Sequence, residues 1–349
     1  MISYRVERFG EPLVAIEGDP PQPKGTEVLL DVAACGVCHS DLHLWEGYFD
    51  AGDGQRIDAA RIVSPPRTLG HEIAGTVRAV GPDAHGIRPG DKRVVYPWLG
   101  CGTCAFCAGG NEHLCARPSA LGVQRDGGFA QYVLVPDPRY LLAYDPLGEE
   151  QACTYACAGL TAFSALKKVA PFASDDTLLV IGAGGVGLSG VRFAKALYGA
   201  APIVAEVDRA KWDTVRGAGA ADVVDPSEDG ALRALIKATG AGVRAAIDFV
   251  GSGSSFTFGL GALAKGGTLV SVGLFGGSAR VSPMQIAMRA VSIAGSYVGS
   301  LDELRELLQI ARTGSLPDLP VTQRPLAEVS DALLDLKGGR VRGRVVVRP

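Results

Sequence analysis

The chain lacks any stretch approaching the ~18 consecutive apolar residues of a membrane span, so no transmembrane helix is expected. It also lacks a basic surplus. The 34 Lys and Arg against 37 Asp and Glu give a net charge of -3. That balance argues against a nucleic-acid surface, because phosphate binding needs concentrated Lys and Arg. Residues 1–6 enter strand-like alternation with no apolar secretory core, which predicts a soluble, cytoplasmic protein. No internal repeat, low-complexity tract or charge block is found. What remains is globular in composition, with 47% apolar and 20% charged residues. A length of 349 residues favours two domains. Glycine, at 47 residues, points to many tight turns and close backbone approaches.

Eight cysteines (Cys35, Cys38, Cys101, Cys104, Cys107, Cys115, Cys153 and Cys157) read as thiols or metal ligands before disulfides in a chain without a leader. The hexapeptide Cys38-His39-Ser40-Asp41-Leu42-His43 follows an apolar run over 28–34. A buried strand that delivers a thiol, a hydroxyl, a carboxylate and two imidazoles to one spot is what a zinc site requires. Gly70-His71-Glu72 adds a candidate imidazole ligand with a carboxylate behind it. Cys101, Cys104, Cys107 and Cys115, spaced by two, two and seven residues, can surround one ion. Four thiolates leave no open position, so this is a structural zinc site. The alternative of a nucleic-acid-gripping zinc ribbon fails for want of Lys and Arg.

Up to residue 135 the signals are short strands, at 13–16, 28–34, 73–80, 94–96 and 129–135, which suggest a partly open barrel. The polar segment 50–66 reads as a long loop, either a lid or substrate channel or a neutral insertion. From about residue 161 helices and strands alternate, the pattern of a parallel sheet covered by helices. A helix is expected over 161–169, then a strand over 177–181, the turn Gly182-Ala183-Gly184-Gly185-Val186-Gly187 and a helix over 188–198. In that context the glycines let backbone approach a pyrophosphate at a helix N-terminus. The next strand, 203–205, delivers Glu206, which lies 19 residues beyond Gly187 and is suited to accept the adenosine ribose hydroxyls. A carboxylate there repels a 2′-phosphate and favours NAD over NADP. Asp208 is the competing choice, and Arg209 leaves room for some NADP use. Strands follow at 245–250, 268–273 and 292–296, then a packing helix over 301–308. A last strand, 343–347, is expected to return to the first domain.

With these motifs in this order, the chain resembles, end to end, the zinc-dependent alcohol dehydrogenases of the medium-chain dehydrogenase/reductase family. The resemblance implies an α/β fold in which a Rossmann-type doubly wound parallel sheet, 158–296, is inserted into a chaperonin-10-like β-barrel catalytic domain. That domain would span 1–157 and 297–349 and carry the structural-zinc lobe 100–115. It implies two zincs per chain, with Cys38, His71 and Cys157 binding the catalytic one; Cys153 is the alternative to Cys157, and otherwise Cys153 and Cys35 read as buried small apolar residues. By the same resemblance Ser40 and His43 relay the alcohol proton, Asp41 orients His71 and Glu72 lies close to the metal. His39 and Arg344 would contact the cofactor, Arg344 at the pyrophosphate. Trp98, with Trp45 and Tyr297 as neighbours, would line a cleft for medium-sized or aromatic alcohols. The implied reaction is hydride transfer between an alcohol and NAD. A homotetramer is expected, with a dimer second. Three other readings are weaker. A polyol dehydrogenase usually has Glu as its third ligand, a quinone reductase lacks zinc, and a non-catalytic NAD-binding redox sensor would not need every relay and ligand position filled.

Overall fold

The strand Val28–Val37 is the longest of the described strands and organises the sheet around it. In the computed structural model, which describes residues 1–173 and 176–349, it pairs antiparallel with Glu72–Val80, Tyr132–Val135 and Arg344–Arg348. The full sheet runs Leu141–Ala143, Lys92–Val95, Glu72–Val80, Val28–Val37, Arg344–Arg348, Val321–Pro325, with Tyr132–Val135 off that path. Among the described strands of this sheet, the parallel pair is Val321–Pro325 and Arg344–Arg348, joined across the helix Val329–Lys337. The final strand therefore does return to the first sheet, with Val345 opposite Val37.

Register decides what meets at the end of this sheet. Gly36 pairs with Glu72 and Cys35 with Ile73. Cys38, one residue beyond its strand, His71, one residue before its own, and Arg344, the first residue of the last strand, are thus brought to one place. Gly36 is required for this. A Cβ there would sit 2.0 Å from Glu72 Oε2, so only glycine lets that carboxylate lie across the neighbouring strand.

The second sheet has six strands, all parallel, in the order Asp222–Val224, Ile203–Ala205, Leu178–Ile181, Val243–Asp248, Leu263–Ser271, Ser292–Gly295. In chain order this is 3-2-1-4-5-6, the doubly wound arrangement whose switch point lies between the first and fourth strands. Leu179, Ile181, Ala246, Phe258 and Leu269 form part of its buried core.

The chain divides into two compact units. One comprises Met1–Tyr48, Asp58–Leu160 and Gly299–Pro349, the other Phe49–Ile57 and Thr161–Val298. The breaks thus fall after Leu160 and Val298, and Phe49–Ile57 groups with the second unit, not with the first domain as expected. Nor is the start of the 50–66 segment a loop. Tyr48–Gly52 and Gln55–Asp58 pair as a hairpin closed by Asp53 and Gly54, whose φ values of 52° and 76° are both left-handed. An Asp-Gly pair is the preferred occupant of such a two-residue turn. Within the second unit the Ser278 hydroxyl donates to Asp53 Oδ1 at 3.0 Å.

Candidate functional site

Cys38, His71, Glu72 and Cys157 place their ligating atoms within 4.8 Å of one another, and all four are buried. One carboxylate holds two of them. Asp41 lies in the first turn of the helix His39–Glu46, and its Oδ2 accepts the Cys38 N–H at 2.9 Å. Its Oδ1 accepts the Gly70 N–H at 3.1 Å and pairs with His71 Nδ1 at 3.0 Å. Cys157 comes from far along the sequence, between the turn Cys153–Ala156 and the helix Ala158–Lys167. The Ala158 N–H donates to Glu72 Oε1 at 3.1 Å, which fastens that segment to the Glu72–Val80 strand. On its other side Glu72 is ion-paired with Arg344.

The electrostatics divide the two sulfurs. A hydrogen bond from Cys157 holds Cys38 well below the ordinary thiol value, and the same bond, with burial, pushes Cys157 well above it. Burial acts against a charged His71, but the Asp41 carboxylate outweighs it and holds the imidazole well above its usual value. His71 Nε2 is buried and has no hydrogen-bond partner. Two sulfurs and an orphaned ring nitrogen, whose partner nitrogen is tied to a carboxylate, suit a zinc ion.

Around this cluster, Ser40 Oγ lies 3.9 Å from Cys38 Sγ. His43 is half-buried, and burial pushes its imidazole below the ordinary value. Trp98 is buried, donates from Nε1 to the Ala156 carbonyl at 3.1 Å and packs on the His71 ring with centroids 5.1 Å apart. His39 is exposed.

The remaining candidates have contacts of their own. Arg344 is buried, with its guanidinium on Glu72. The cause is register, since the last strand starts beside the site. The Trp45 indole N–H donates to the Glu11 carbonyl at 2.5 Å, and Lys337 Nζ lies 5.7 Å from its ring centroid. Tyr297 is 51% exposed. Cys153 and Cys35 are fully buried outside the cluster, and Cys153 Sγ lies 3.5 Å from the Glu150 carbonyl.

In the lobe, Cys101, Cys104, Cys107 and Cys115 also bring their sulfurs within 4.8 Å of one another. The Thr103 hydroxyl and nearby backbone N–H groups draw Cys101 down to about 5, while Cys107 is pushed up to about 12. Crowded, unbridged sulfurs fit a four-thiolate ion site. Sequence reading missed the residue that fastens this lobe. Glu112, 7% exposed, accepts from the Gly100 N–H at 3.0 Å and the Tyr140 hydroxyl at 2.7 Å, and pairs with Arg139 at 3.1 Å. A Glu within a predicted zinc lobe gave no periodic signal. The mid-strand glycine at 36 was the available clue to the Glu72 approach.

In the second unit the helix Gly185–Tyr198 begins with no side-chain cap at Gly184, and Gly184 is exposed with open space where a Cβ would stand. Its first N–H groups are therefore left for an anion. A Cβ on Gly187 would sit 1.9 Å from the Gly182 carbonyl oxygen, so the turn closes only with glycine there. Val186 lies half-buried on the first turn. Glu206 is buried at the end of the neighbouring strand, and accepts the Ala183 N–H at 2.8 Å and the Asp208 N–H at 2.9 Å. Asp208 instead caps the following turn through the Ala210 N–H at 3.0 Å. The acid held at the glycine turn is Glu206. An uncapped helix end beside a fixed carboxylate fits a dinucleotide.

Comparison with known proteins agrees with both halves. Residues 24–145 match the family model for the alcohol dehydrogenase GroES-like domain, and residues 185–313 match that for zinc-binding dehydrogenases. The chain is 36% identical to an NAD-dependent alcohol dehydrogenase of Saccharolobus solfataricus over the whole of both chains. It is 32% identical to a D-arabinose 1-dehydrogenase (NADP(+)) of the same organism over 99% of this chain and 96% of that one. The crystal structure of the alcohol dehydrogenase from Aeropyrum pernix superposes with a TM-score of 0.90 at 30% identity, covering 100% of both chains.

Proposed function

The chain belongs to the zinc-dependent alcohol dehydrogenases of the medium-chain dehydrogenase/reductase family, and from that premise we propose that it oxidises a primary or secondary alcohol to an aldehyde or ketone with NAD. The observation that carries the reading is the buried group Cys38, His71 and Cys157, whose His71 Nε2 has no protein partner. These three would hold a catalytic zinc, and Cys101, Cys104, Cys107 and Cys115 a structural one, two per chain. When bound, the catalytic zinc supplies a Lewis acid that eases loss of the alcohol proton near neutral pH. NAD supplies the hydride acceptor.

The chain's own residues do the rest. Asp41 pairs with His71 Nδ1, so that Nε2 is the nitrogen that would lose its proton and offer its lone pair to the ion. Glu72 is occupied by Arg344 and the Ala158 N–H, which favours a three-residue ligand set with an open position. Ser40 Oγ, able to accept and donate, takes the alcohol proton, and His43, whose imidazole burial pushes below its ordinary value, receives it onward. Trp98 restricts one side of the metal group and favours medium-sized or aromatic alcohols. Gly182, Gly184, Gly185, Val186 and Gly187 hold the pyrophosphate, and Glu206 takes the ribose hydroxyls and disfavours a 2′-phosphate.

We further take the protein to be a homo-oligomer, a tetramer before a dimer. The outermost strand of the parallel sheet, Ser292–Gly295, has no pairing partner on its far side among the described residues, and Ile293 is exposed. A cytoplasmic location is supported by eight unbridged cysteines, and no described helix is long and apolar enough to cross a membrane.

The test is NADH formation by the zinc-loaded protein with primary, secondary, aromatic and polyhydroxy alcohols. Turnover of simple alcohols above polyols is expected. No NADH from any of them would leave a non-catalytic NAD-binding protein.

A further inference from the structure

The segment after Glu206 carries two cations, Arg209 and Lys211, and an arginine near this position is what accommodates a 2′-phosphate in dinucleotide folds. Here both are committed to carboxylates. Lys211 Nζ lies 3.7 Å from Asp208 Oδ2. Arg209 is ion-paired with Glu228, and its guanidinium carbon lies 5.2 Å from the ring centroid of Trp212. That ring is itself anchored, since Trp212 Nε1 donates to the Glu206 carbonyl at 3.0 Å. Glu228 follows the strand Asp222–Val224, which pairs in parallel with Ile203–Ala205, so the sheet brings it opposite Arg209.

We propose that Glu228 is a cofactor-specificity residue, which holds Arg209 against Trp212 and so withholds its charge from the 2′-phosphate of NADP. The inference rests on the proposed reading that a dinucleotide places its adenosine ribose beside the segment after Glu206. It adds a second layer to that reading: one carboxylate repels the phosphate, and another removes the cation that would compensate it. The side chains of Arg209 and Glu228 are 67% and 57% exposed, so the pair is a surface one. Its loss should change affinity by about two- to fivefold, the range open to an exposed ion pair of up to ~1 kcal/mol.

The test is direct titration of NADH and NADPH binding to the zinc-loaded protein, unmodified and as Glu228→Gln, Glu228→Gln with Arg209→Ala, and Glu206→Ser. Glu228→Gln should tighten NADPH by about two- to fivefold with NADH unchanged, and the added Arg209→Ala should cancel the gain. An unchanged NADPH constant, an equal change for both cofactors, or a gain that survives Arg209→Ala each overturns the proposal. Glu206→Ser separates the two layers. If it shifts the preference while Glu228→Gln is silent, only this proposal falls. If it is silent while Glu228→Gln acts selectively, the ribose role of Glu206 falls and this one stands.

Discussion

Asp41 shows how much of a site can rest on one side chain. It is fully buried and serves the Cys38 backbone, the Gly70 backbone and the His71 ring together. The third ligand is a matter of two cysteines four residues apart. Cys157 faces Cys38 and His71, whereas Cys153 lies outside the group. Cys157→Ala should therefore abolish turnover and leave NADH binding within about twofold, because the dinucleotide residues are elsewhere. Cys153→Ala should retain turnover at the cost of some stability, since it removes a buried sulfur from packing. Steady-state rates and NADH titration on both variants check this, and activity surviving in Cys157→Ala would move the ligand to Cys153. The assignment of Cys157 shows a limit of sequence reading. The lobe cysteines are legible because their spacing is local. Cys157 joins its partners only through tertiary packing, so only resemblance to relatives could suggest it.

At the scale of elements, the glycine turn and its helix are the clearest case of sequence dictating structure. The strand, turn and helix were readable because each is continuous and the glycines punctuate them. The helix starts at Gly185, earlier than the apolar run suggests, because glycines carry no periodic signal. Gly187→Ala would drive a Cβ into the Gly182 carbonyl, 1.9 Å away. It should cost about 1–3 kcal/mol of stability and weaken NADH binding more than about tenfold, because the helix end must shift. Gly217→Ala is the contrast. Its Cβ would meet nothing within 4 Å at ordinary φ, so it should stabilise by about 0.4–1 kcal/mol. Thermal melts with and without NADH distinguish the two. The hairpin was misread for the opposite reason: Asp53-Gly54 is a strong turn signal, but its polar flanks, including four exposed residues from Gln55 to Asp58, show no alternation.

For the whole molecule, the composition gave class and the motif order gave architecture, but the pairing of distant ends lay beyond periodicity. The pairing of residue 344 with residue 72 was not legible, because nothing local marks it. The two sulfur clusters should bind independently, so metal analysis should find two zincs per chain. Cys107→Ser should leave one, with a lower melting temperature and the catalytic zinc retained. Finding one zinc in the unmodified protein would remove one of the two assignments. The final strand, Arg344–Arg348, has a bearing on biogenesis. The second unit's main segment, Thr161–Val298, can be assembled while synthesis is still under way, but the first unit waits on residues made after it. Until those emerge from the ribosome, Val28–Val37 has an open flank and the Glu72 carboxylate has no counter-ion in an apolar interior. A nascent chain that stops short of residue 344 thus leaves the buried Glu72 without the basic residue that balances it.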